Sequence, residues 1–130
     1  MKKLIVITSP RFFQGEDTVL SHLFDEGMQR LHLRKPDSEA NELRKLLDRI
    51  PAIYYPKIVL HDCFGLAVEY GLGGVHLNRR NNQTPDGFTG TISRSCHSIG
   101  ELEQFGETTL RWIKRILLSH NIKSYKHGIR

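Results

Sequence analysis

The chain has 130 residues, 38% hydrophobic and 25% charged, the size and composition of one globular domain with a single core. No apolar run approaches a membrane span, and the four apolar residues after Lys2 and Lys3 are too few for a secretory signal, so no membrane partner and a cytoplasmic location are expected. The net charge of +5 resides wholly in residues 107–130, since residues 1–106 hold 13 basic and 13 acidic residues, and a neutral body with a basic tail argues against nucleic acid as a partner.

In chain order, residues 3–8 form a short run rich in β-branched side chains, closed by Ser9 and Pro10, and are read as a buried strand. Asp17 and Thr18 open a helix whose Val19, Leu20, Leu23 and Phe24 share a face, and Gly27 stops it. Residues 29–34 alternate, with Leu31 and Leu33 on one side and Arg30, His32 and Arg34 on the other. Asp37 offers a cap to a helix carrying Leu43, Leu46, Leu47 and Ile50, ended by Pro51. Residues 57–61 are a third strand, 64–70 a short helix ended by Gly71, and 74–77 a fourth strand. Residues 78–87 are all turn formers and predict a loop; residues 90–95 are a fifth strand. Ser98 and Glu101 form a capping box for a helix bearing Leu102 and Phe105.

Short strands alternating with helices predict an α/β fold, a parallel βα-repeat. No glycine-rich phosphate fingerprint follows the first strand, and the glycines at 71, 73 and 74 precede a strand rather than open a helix. Two cysteines, Cys63 and Cys96, make no disulfide framework and are read as small core residues.

Four of the seven histidines, His32, His61, His76 and His97, fall at or just past the ends of four successive strands. Strand ends are where a parallel barrel builds its active site. Period-2 parity puts His32 with Arg34, His76 opposite Val75 and Leu77, and Ser93, Ser95 and His97 on one face. The bland reading of each histidine is a hydrogen-bonded rim residue. As a set, joined by Arg34, Asp62 and Ser95, they suit either a transition metal or proton transfer on an anionic substrate held by Arg34. The absence of a tight two-histidine spacing ranks proton transfer first.

The segments Leu31-His32-Leu33-Arg34-Lys35, Val59-Leu60-His61-Asp62, Gly74-Val75-His76-Leu77 and Ser93-Arg94-Ser95-Cys96-His97 stand in the order and rough spacing of the thiamine phosphate synthase/TenI family, which residues 3–106 resemble. The resemblance implies a (β/α)8 barrel of TIM type. It further implies either of two activities: magnesium-dependent joining of hydroxymethylpyrimidine diphosphate to thiazole phosphate, or, in the TenI branch, tautomerisation of thiazole carboxylate phosphate by proton transfer without a cofactor. His32 and His61 stand where the synthase pattern has Gln and Asn. Asp62 matches a magnesium-binding aspartate, but the second carboxylate expected after the fourth strand is replaced by Asn78, Arg79, Arg80 and Asn81. These departures favour the tautomerase branch, in which the histidine matching His97 transfers the proton. His32, Arg34, His61, Asp62, His76 and Ser95 would then bind a small phosphorylated thiazole or pyrimidine. A third reading is an inactive or binding-only shortened member.

Five strands are readable by Gly106, so the resemblance implies an incomplete barrel over residues 1–106, followed by a basic amphipathic tail over 107–130 with Leu110, Ile113, Ile116 and Leu117 on one side. An open parallel sheet leaves edges to be covered, which predicts a homo-oligomer. The rival from another class is a small nucleic-acid-binding module that uses the tail; deleting residues 107–130 would abolish salt-dependent binding in that case only.

Overall fold

The computed structural model describes residues 4–95. The chain divides into two compact units, Met1–Ser93 and Arg94–Arg130. The sequence-based division at residue 106, the helix after Ser98 and the basic tail lie outside the described residues.

Five strands form one sheet in sequential order: β1 (Ile5–Ile7), β2 (Arg30–Leu33), β3 (Ile58–Leu60), β4 (Gly74–Leu77) and β5 (Thr91–Arg94). The pairs β1–β2, β2–β3 and β3–β4 are parallel. Helices α1 (Glu16–Asp25), α2 (Ala40–Asp48) and α3 (Gly65–Tyr70) provide the crossovers. The α/β repeat read from hydrophobic periodicity is therefore the observed one, and the connection from β4 to β5 is the loop that its turn formers predict.

Burial follows the pleat. Leu31, Leu33, Ile58, Leu60, Val75 and Leu77 point to the helical side and are buried with Leu20, Phe24, Met28, Leu43, Leu46, Leu47 and Ile50 in one core. Alternate residues point to the opposite face: His32 and His76 are half-buried there, and in β1 Ile5 and Ile7 are exposed, so the first strand is not the buried strand that its β-branched run predicts.

Three further local expectations are corrected. Helix α1 buries Glu16, Leu20 and Phe24, whereas Val19 is exposed, because the helix presents a narrow stripe to the sheet. Helix α2 is capped at Glu39 rather than Asp37: the Glu42 carboxylate accepts the Glu39 N–H at 3.1 Å, closing the box two residues further on. Lys57, read as the start of the third strand, instead ends a 3-10 turn over Ala52–Lys57, in which the Tyr55 hydroxyl donates to the Leu47 carbonyl at 2.7 Å.

Candidate functional site

The register explains why the histidines meet. Ile7, His32, Val59 and Gly74 are successive partners across β1 to β4 and share the face away from the helices. Two residues further along the same face come Arg34, His61 and His76, which the register brings level with one another. Neighbouring parallel strands lie about 4.8 Å apart, so level side chains on one face must stack. The His61 and His76 rings do so, with centroids 4.3 Å apart and an interplanar angle of 25°. His32, one row back, meets both edge-on, at 5.1 Å from His61 and 5.8 Å from His76. Its Nδ1 is 2.8 Å from His61 Nε2, a hydrogen bond in which one ring donates and the other accepts. His76 Nδ1 is 2.7 Å from Ser93 Oγ.

Crowding sets the protonation of these rings. Burial, then the neighbouring His76 and His32 and the Arg34 and Arg80 guanidinium charges, pushes His61 down to about 3. Burial and the Arg30 charge lower His32, and burial and His32 lower His76. All three imidazoles are thus neutral near pH 7.

Beside the rings, the end of β3 is tied down by the loop after β4. Asn78 Nδ2 donates to the His61 and His76 carbonyls at 2.9 and 3.0 Å, and Asn81 Nδ2 donates to the His61 carbonyl at 3.1 Å. Asp62 is buried, and both of its oxygens are engaged. Oδ1 accepts from Arg80 Nε and Nη2, each at 3.2 Å, and from Asn81 Nδ2 at 3.1 Å. Oδ2 accepts the Lys35 N–H at 2.9 Å. A magnesium ion wants unencumbered hard oxygens, several of them, in an octahedral shell. One carboxylate already holding a guanidinium does not fit that ion.

Of the residues singled out from sequence, His32, Arg34, His61, Asp62 and His76 come together on unit Met1–Ser93. Ser95 belongs to the other unit, and His97 lies outside the described residues. Sequence reasoning missed Ser93 as the partner of His76 and missed the Arg80 and Asn81 side chains as partners of Asp62. The only signal for the latter was an arginine standing where the family pattern wants an acid. It also missed the surroundings of Lys35, whose Nζ is fully buried and donates to Glu16 Oε2 at 2.7 Å and to the Ser9 and Arg11 carbonyls at 2.9 Å each.

No family model and no curated protein matches the chain. Among solved structures, the chain is similar to a thiamine phosphate pyrophosphorylase from Bacteroides thetaiotaomicron, with 46% identity and a TM-score of 0.73. The likeness covers 79% of this chain and 52% of that one, so the chain spans about half the length of the protein it matches. In sequence and in fold alike, the chain is a relative of the thiamine phosphate synthase family.

Proposed function

We propose that the strand-end site binds a small phosphorylated thiazole and moves a proton on it, as in the TenI branch of the family, rather than joining two substrates around magnesium. The observation that carries this reading is the pairing of three neutral imidazoles with an aspartate whose oxygens are already taken. Neutral imidazole is the general base and, once protonated, the general acid of proton transfer near pH 7. A carboxylate bridged to Arg80 and Asn81 supplies no free oxygen for a divalent ion. The Arg34 and Arg80 charges beside His61 suit an anionic ligand. In this reading His97 shuttles the proton between ring atoms of the substrate, Arg34 and Ser95 orient it, and His32, His61 and His76 form the polar wall against which it lies.

Synthesis is the second reading, favoured by the 46% identical neighbour being a thiamine phosphate pyrophosphorylase. One assay separates the two. Purified chain is incubated with thiazole carboxylate phosphate alone, and separately with hydroxymethylpyrimidine diphosphate, thiazole phosphate and magnesium. Tautomerisation that drops at least about a hundredfold in His97→Ala, the scale of one general acid-base group, is the expected result. Near-normal turnover in that variant removes His97 from the chemistry, and coupling of the two substrates replaces the first reading with the second.

A further inference from the structure

Besides a wall for an organic ligand, the three rings have the makings of something else. We propose that His32, His61 and His76 form a binding site for a borderline transition-metal ion of the zinc type, coordinated by three ring nitrogens with a fourth position open. One nitrogen from each ring lies within 4.8 Å of the other two. A tetrahedral ion with metal–nitrogen bonds of about 2.0–2.1 Å holds its ligands roughly 3.3 Å apart. The observed spacings bracket that value. His32 Nδ1 and His61 Nε2, now 2.8 Å apart, have to open by about half an ångström, and His76 has to close on them. Side-chain rotation alone accomplishes both, since the three residues stand on adjacent strands of one parallel sheet.

The surroundings are those of a ligand set. Ser93 Oγ holds His76 Nδ1 at 2.7 Å and so fixes the orientation of the ring. Asn78 and Asn81 hold the His61 carbonyl, so the backbone under the central ligand is pinned. The hydrogen bond between His32 and His61 is given up on binding: the proton it holds moves to the other nitrogen of its ring, and both lone pairs turn to the metal. Three imidazoles with no added carboxylate select zinc, cobalt, nickel or copper and discriminate against magnesium. The site is therefore distinct from a magnesium site at Asp62, and it does not depend on the proton-transfer reading.

The test uses the full chain, stripped with a chelator, and the metals alone. Titration with zinc should show one ion per chain, and cobalt should give the visible bands of a tetrahedral centre. Magnesium at the same concentration should give no heat. His76→Gln should weaken zinc binding by at least a hundredfold. Ser93→Ala, which keeps all three ligands, should weaken it about tenfold, on the scale of removing a ligand's supporting partner. A melt of each metal-free variant checks folding, and if His76→Gln does not fold, the Ser93→Ala titration and the cobalt spectrum decide. Absence of zinc binding, an octahedral cobalt spectrum, or binding unchanged in the folded variants overturns the proposal; unchanged binding would assign the ion to other histidines of the chain.

Discussion

Lys35 has no exposed surface, yet it carries a charge. Its ammonium is satisfied by the Glu16 carboxylate and two carbonyls, and Phe12 covers it with its ring centroid 4.6 Å away. This pair fixes the loop after β1 and the start of α1 against the end of β2, close to the histidine face. Removing one partner of a buried ion pair strands the other, which costs more than the pair is worth. Lys35→Met should therefore lower stability by about 3–5 kcal/mol in urea unfolding, whereas Lys35→Met with Glu16→Leu should recover much of the loss. A single variant as stable as the parent would show that Glu16 finds water. Parity alone places Lys35 on the leucine side of β2, in step with Leu31 and Leu33. Its partner, 19 residues earlier in the chain, was not legible, because a glutamate in the first turn of a helix is ordinarily solvated.

At the scale of elements, the sheet depends on close backbone approaches that only glycine allows. Gly73 donates its N–H to the Tyr55 and Ile58 carbonyls at 3.1 and 3.0 Å, and its own carbonyl accepts the Thr91 N–H at 2.9 Å. A methyl group at Gly73 would run into the Pro56 carbonyl, which is main chain and cannot rotate away. Gly73→Ala should destabilise by about 2 kcal/mol or more, as overpacking does. Gly65→Ala is the control. It opens α3, a Cβ there meets no atom within 4 Å, and the substitution should be neutral or stabilising by up to about 1 kcal/mol. Equal effects in thermal melts of the two variants would refute the packing argument. Most of these elements were legible because alternation and the 3.6-residue stripe are local properties of a strand and a helix. The turn over Ala52–Lys57 was not, since it has neither period and is held by the Tyr55 hydroxyl reaching α2.

For the molecule as a whole, the histidine face makes the fold sensitive to acid. In the unfolded chain His61 titrates near its ordinary 6.5, and in the fold it is held down to about 3 by burial, by His76 and His32, and by the Arg34 and Arg80 charges. Between those values the unfolded state takes up a proton that the folded state refuses, so stability is full above pH 6.5 and falls as pH drops toward 3. His32 and His76, lowered in the same direction, add to the loss. With chelator present, the slope from this one ring is at most about 1.4 kcal/mol per pH unit. Urea midpoints should decline from pH 7 to pH 4.5 in the parent chain and decline less in His61→Gln. Parallel profiles would place the acid sensitivity elsewhere.

The sequence by itself determined the order of strands and helices, the face of each strand that enters the core, and the gathering of His32, His61 and His76 at one end of a parallel sheet. Each follows from periodicities that act over a few residues, together with the rule that successive βα units lie side by side. Only the tertiary structure decided what those side chains touch. Arg80 and Asn81 close over Asp62, Ser93 holds His76, and Glu16 neutralises Lys35. These contacts join residues 17 to 19 positions apart through turns whose conformation has no period, and a charge buried in a fold must find whatever partner the packing brings within reach.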